Sequence, residues 1–206
     1  MVGIAAERRA RRAEQRRRQI LAAASRVFAR KGYDRATTRE IADEADLAEG
    51  TIYNYFDSKQ QLLLALAQGI RIEFEHVISR LRAEGDPSTE IARGVRDSLR
   101  IMADNAEVIR GLVTGLWNPQ LEFSGYLIPG SQQLVAKVER LLATGVEQGR
   151  LRPHDTDLVA KMVVGMVVFL ALPFLRRQAP LPSAHEMKAQ GKLVAGVLLT
   201  GLLARG

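Results

Sequence analysis

Ile41-Ala42-Asp43-Glu44-Ala45-Asp46-Leu47-Ala48-Glu49-Gly50-Thr51-Ile52-Tyr53-Asn54-Tyr55-Phe56 reads as two short helices around a tight turn. Ile41, Ala42 and Ala45 give the first helix one apolar face. Asp46 tolerates the left-handed conformation that Gly otherwise supplies at such a turn, and Leu47 falls at the corner. Ile52 and Phe56, four apart, anchor the second helix and leave Glu49, Gly50, Thr51, Tyr53, Asn54 and Tyr55 to outward and flanking positions. A small polar face on a short, anchored helix is what the DNA major groove admits, so the stretch is a helix-turn-helix.

The flanks extend the pattern. Ile20, Leu21, Ala24, Val27 and Phe28 recur at helical spacing and predict a helix over 14–31 that Gly32 ends. Thr37-x-x-Glu40 spells a capping box for the next helix, and Ser58-x-x-Gln61 another for a fourth over 58–81, closed by Gly85-Asp86-Pro87. Helical patterns follow over 88–103, 105–117 and 131–148. Another starts at Asp155 or Thr156, and a last one runs from the capping box Ser183-Ala184-His185-Glu186 to residue 204. No segment alternates with period two for long enough to be a strand. The fold class is all-α: a basic flexible tail (1–13), a three-helix helix-turn-helix head (14–60) and a helical body (61–206) joined to it by the fourth helix.

With 47% hydrophobic and 26% charged residues, the 206-residue chain has the composition of a soluble globular protein. Its formal charge of +7 is loaded at one end: residues 1–31 hold ten Lys or Arg against Glu7 and Glu14, which leaves the remainder close to neutral. A basic end beside a helix-turn-helix is an electrostatic footprint for phosphates. Cysteine is absent, which excludes disulfides and thiolate chemistry and agrees with a cytoplasmic setting. The arginine-rich first residues lack the apolar core of a signal peptide.

Leu158–Leu175 is apolar apart from Lys161, and is read as a buried helix rather than a membrane span, because it is marginal in length and carries a charge inside it. Residues 162–175 and 193–204 are apolar nearly all round, so they need cover on two sides. One side is the core, and the other is read as a second copy of the chain, with Gly165, Ala171, Gly196 and Gly201 permitting close approach. The alternative is that they are the central helices of a monomeric bundle.

Thr37-x-x-Glu40-Ile41-Ala42-x-x-Ala45-x-Leu47-x-x-Gly50-Thr51-Ile52-Tyr53-x-Tyr55-Phe56-x-x-Lys59, behind an arginine-rich helix and the Gly32-Tyr33 turn, resembles the DNA-binding head of the tetracycline-repressor (TetR) family of bacterial transcription regulators. The resemblance covers residues 15–65. It implies a homodimer binding a palindromic operator in double-stranded DNA, and a variable body that takes a small-molecule effector. By position it puts Thr37 and Thr38 at the DNA backbone, Gly50, Thr51, Tyr53, Asn54 and Tyr55 on the recognition helix, and Lys59 at a phosphate. Tyr53 has two placements: facing DNA, or packed within the head with only its hydroxyl outward. Asp46, Ala48 and Glu49 depart from the family pattern, where Gly, a capping Ser and a Lys or other polar residue are usual. Glu49 either points away from DNA or accepts a hydrogen bond from a base edge.

No other chemistry is spelled out. His76, His154 and His185 stand singly without metal-ligand spacing, and no nucleophile motif or phosphate loop occurs, so neither a metal, a cofactor nor catalysis is expected. Met102, Trp117, Phe123 and Tyr126 lie near the breaks Gly111, Gly115, Asn118-Pro119 and Gly125. They are the candidate lining of a pocket for an apolar or aromatic effector. The expected function is a repressor released from its operator by that molecule. The alternatives are a regulator without a ligand, or an activator.

Overall fold

The structure, a computed structural model, describes the backbone of residues 2–116 and 124–200, and the side chains of residue 3 and of residues 6–112 and 132–200. Helices account for nearly all regular structure among the described residues. They are α1 (Val2–Lys31), α2 (Thr38–Glu44), α3 (Glu49–Tyr53), α4 (Lys59–Arg80), α5 (Pro87–Asp104), α6 (Ala106–Leu116), α7 (Ser124–Glu147), α8 (Thr156–Leu175) and α9 (Ala184–Leu199). The chain divides into two compact units, Met1–Gly69 with Glu107–Trp117, and Ile70–Ala106 with Asn118–Gly206.

The first unit is built on α1. Ile20, Ala23, Ala24, Val27 and Phe28 fall on one face and are buried, as are Ile41 and Ala42 of α2, Ile52 of α3, Phe56, and Leu62 and Leu63 of α4. Gly32 ends α1 at φ 78°, and Asp46 takes φ 54° between α2 and α3, the left-handed turn expected of it. The Tyr33 ring stands edge-on to Phe28 at 5.4 Å. Helix α6 lies so close that a Cβ on Gly111 would meet Tyr33 Cβ at 3.0 Å and Leu63 Cδ1 at 3.2 Å.

Two starts are corrected. Residues 2–13, expected as a flexible tail with the helix beginning at Glu14, are helical, and α1 opens at Val2. Apolar periodicity fades there, but Ala, Arg and Glu are strong helix formers, so propensity carries the helix outward without a buried face. Helix α7 opens at Ser124 rather than Ser131.

In the second unit α5 packs against α7, α8 and α9, and α8 against α7. Asp86 caps α5 through the Thr89 N–H, with Pro87 in the first turn. Asp155 caps α8, and Ser183 with Glu186 forms the capping box of α9. By length and composition α8 could cross a membrane. It nevertheless buries Ala160, Val163, Val167, Ala171 and Phe174 as a core helix does. Its burial is one-sided, with Phe169 75% exposed, and on α9 Leu193 and Val197 are 64% and 65% exposed.

Candidate nucleic-acid interface

Helix α2 starts at Thr37, whose hydroxyl accepts from the Glu40 N–H while the Glu40 carboxylate accepts from the Thr37 N–H, a complete capping box. Two acids then clasp α2 to α1: Glu40 pairs with Lys31, and Glu44 with Arg26 at 2.6 Å and with Arg30. The Lys31 hydrogen bond, followed by that of the Thr37 N–H, holds the Glu40 carboxyl below the ordinary range. Hydrogen bonds from Arg30 and then Arg26 do the same for Glu44. Across the same interface Gln19 Nε2 donates to the Ala45 carbonyl at 2.7 Å.

Helix α3 spans only five residues, and Ala48 at its N-cap offers no side-chain hydrogen bond, as its methyl group requires. Its position comes from below and from α2. Ile52 is fully buried. Above it, Thr38 Oγ donates to Glu49 Oε1 at 2.7 Å and lies 3.0 Å from the Tyr53 hydroxyl. Glu49 therefore neither turns away nor points freely outward: its carboxylate ties α3 to α2. Tyr53 has its ring about half exposed and its hydroxyl in the same cluster. Thr37, Glu49, Gly50 and Asn54 are exposed, with Thr38, Thr51 and Tyr55 half-buried beside them. A Cβ on Gly50 would meet nothing within 4 Å, so nothing inside the head calls for glycine there.

The structure gives Lys59, expected at a phosphate, a different set of partners. Its Nζ donates to the carbonyls of Tyr33 at 2.9 Å, Asp34 at 3.2 Å and Ala36 at 2.9 Å, and sits 4.6 Å above the centre of the Tyr33 ring. Three donors meet three acceptors, so the ammonium closes the 33–36 turn. Lys59→Ala should lower the thermal unfolding temperature by an amount equivalent to about 2–3 kcal/mol, since it orphans part-buried carbonyls. An unchanged melting temperature would remove this assignment.

Glu49→Gln keeps a carbonyl oxygen for Thr38 but removes the charge, so affinity for all duplexes should rise by roughly two- to tenfold with the preferred sequence unchanged. Loss of discrimination at one symmetric pair of base positions would instead place the carboxylate on a base.

One part of this surface was not anticipated. Because α1 is helical from Val2, it carries Arg9, Arg12 and Arg16 in line, and with Gln15, Gln19 and Tyr55 they bound a groove of about 380 Å3. Arg17 lies 4.5 Å from the centre of the Phe56 ring. The signal for the groove was the i, i+3, i+7 spacing of those arginines, hidden by reading the segment as a tail.

In the second unit a small cavity of about 20 Å3 lies among α5, α7 and α8 beside Leu81, lined by Leu81, Ile91, Gly94, Ser98, Leu141 and Val163 among others. It is apolar apart from Ser98 and has room for about one water. Met102, half-buried, is not among the residues lining it. Trp117, Phe123 and the side chain of Tyr126 lie outside the described residues. No group of three or more acids or histidines that could hold a metal occurs among the described residues.

A capped α2, a left-handed turn, a short anchored α3 and a cationic flank define a helix-turn-helix DNA-binding protein. The family model described as bacterial regulatory proteins, tetR family, matches residues 20–66. The chain is 29% identical to the transcriptional regulator YfiR of Bacillus subtilis over 164 residues, 74% of this chain and 77% of YfiR. It is 34% identical to the transcriptional activator FasR of Mycolicibacterium smegmatis over 105 residues, 51% of this chain and only 40% of FasR. Among solved structures, the fatty acid degradation regulator FadR from Bacillus halodurans superposes with a TM-score of 0.69 at 26% identity, over 92% of this chain and 97% of that one. Residues 20–66 are a tetR-family DNA-binding domain, and the chain is a DNA-binding transcriptional regulator.

Proposed function

We propose that the protein is a cytoplasmic, homodimeric repressor that holds a palindromic operator through its heads and lets go when a small apolar or aromatic molecule enters the body. Gly50 carries the DNA-binding half of this reading. It is exposed on α3 with open space where a side chain would be, and the fold gains nothing from glycine's flexibility inside a helix. A glycine there suits an approach from outside, and a DNA backbone beside Thr37, Thr38, Thr51, Tyr53, Asn54 and Tyr55 is the partner that fits. Lys59 contributes by holding the turn and by its charge.

The dimer reading rests on Leu158, Met162, Val168 and Phe169 of α8 with Leu193 and Val197 of α9, an exposed apolar face on helices whose other sides are packed. The effector reading rests on the apolar cavity, which must widen to admit anything larger than water. That tightness also favours a second reading, a regulator that takes no ligand. Selecting and sequencing duplexes retained by the purified protein, then repeating the selection with candidate molecules present, tests all of this. An enriched palindrome lost on addition of one molecule is expected. Retention of random sequence would overturn the operator reading, and a palindrome indifferent to every molecule would favour the second.

A further inference from the structure

Thr38, Glu49 and Tyr53 form a relay whose direction follows from counting hydrogens. The Glu49 carboxylate accepts and does not donate, so the 2.7 Å contact spends the single hydrogen of Thr38 Oγ on Glu49 Oε1. That hydroxyl has none left for its neighbour at 3.0 Å, so the Tyr53 hydroxyl is the donor in the second pair. The chain of donation runs from Tyr53 to Thr38 to Glu49. Both hydroxyl hydrogens are used inside the relay, which is left with oxygen lone pairs and a negative charge.

The relay lies on the outside of the head. Glu49 is exposed, Tyr53 about half exposed and Thr38 half-buried between them, and beside Glu49 the open space at Gly50 leaves room for an approaching surface. The charge is also uncompensated. Glu40 and Glu44 are paired with Lys31, Arg26 and Arg30, whereas among the described residues no Lys or Arg pairs with Glu49, whose hydrogen-bond partner is Thr38.

A phosphate oxygen is an acceptor as well. It needs from Thr38 and Tyr53 the hydrogens that the relay has already used, and it meets a like charge beside them. We propose that Glu49 is an affinity-limiting residue of the DNA-binding face: its carboxylate stands in for a phosphate oxygen, and a duplex must compete with it for the hydroxyl of Thr38 and, through Thr38, that of Tyr53. The inference rests on reading this face as the DNA surface, and adds that two of its donors are withheld in the free protein. Loss of the charge alone does not release them. Loss of the acceptor oxygen does.

Two substitutions separate charge from occupancy. Glu49→Gln removes the charge and keeps an oxygen for Thr38, while Glu49→Met keeps the length of the side chain and has no oxygen. Fluorescence anisotropy at low salt reads affinity for two labelled probes, a random-sequence duplex and the pool of duplexes that the wild type retains. Glu49→Met should bind the retained pool about tenfold tighter than Glu49→Gln, the worth of one hydroxyl donor restored to a charged acceptor. Thr38→Val, which keeps the shape of threonine, should cost about tenfold more affinity in the Glu49→Met background than in the wild type, where the substitution also removes the competition for that hydroxyl.

Equal costs of Thr38→Val in the two backgrounds overturn the proposal and leave Glu49 as a strut between α2 and α3. Equal affinities of Glu49→Gln and Glu49→Met do the same. Thermal unfolding checks that each variant folds, and Glu49→Ala takes the place of Glu49→Met if the latter does not. A wild type that retains neither probe removes the DNA reading itself, and the proposal with it, a result distinct from a wild type that binds but shows no coupling between Glu49 and Thr38.

Discussion

Gly196→Arg should convert the protein to a monomer and lower its affinity for a two-half-site operator by roughly 10²- to 10⁴-fold, the gain that linking two heads provides. Gly196 lies between Leu193 and Val197 on the exposed face of α9, and a Cβ there would meet nothing within 4 Å. The protomer can therefore accept the new side chain without strain. What it cannot accept is a partner's apolar surface against an unpaired guanidinium. Sedimentation of wild type and variant at micromolar concentration, alongside binding to one and two half-sites, reads both effects. A variant that stays dimeric, or a monomeric one that keeps full affinity for the paired site, would sink the assignment of α8 and α9 as the interface.

Gly191→Ala, about two turns into α9 where it crosses α5, should act through the protomer instead. A Cβ at this position would sit 2.3 Å from the Ala92 carbonyl oxygen, a backbone atom with no rotamer to move aside. The helices must separate, which costs about 3 kcal/mol and lowers the melting temperature by roughly 6–12 °C for a chain of this size. Gly69→Ala is the control. Its Cβ meets nothing within 4 Å, and losing an exposed helical glycine stabilises by about 0.5–1 kcal/mol. Equal melting temperatures for the two variants would mean that α5 and α9 are not in contact as described.

The opposite fates of these glycines mark what could be read from the sequence. Asp46 in a left-handed turn, Ala48 as a bare N-cap, and the boxes at Thr37 and Ser183 are decided within four residues, so their spelling is their structure. The helical pattern with buried Ile20, Phe28, Ile41 and Ile52 followed from periodicity for the same reason. Gly191 and Gly196 look alike in the sequence, and only the packing of α5 on α9 tells them apart. The partners of Lys59, Glu49 and Arg150 lie 23–26, 11 and 65 residues away in the chain, and no local pattern announces them. Lysine at the start of α4 suggested a phosphate because charge is legible, whereas three carbonyls converging on it are not.

The helical course of α1 from Val2 changes how the head meets a charged partner. A basic tail that orders on contact surrenders conformational freedom at that moment, and this loss offsets much of the attraction. Arginines already spaced along a rod spend none, so Arg9, Arg12 and Arg16 act as a template of fixed pitch. Lys31, Arg26 and Arg30 are meanwhile paired with Glu40 and Glu44, which cancel two of their three charges before any duplex arrives. The nominal basicity of the first 31 residues therefore overstates the attraction, which is concentrated in the outer half of one helix and released as counterions rather than as disorder.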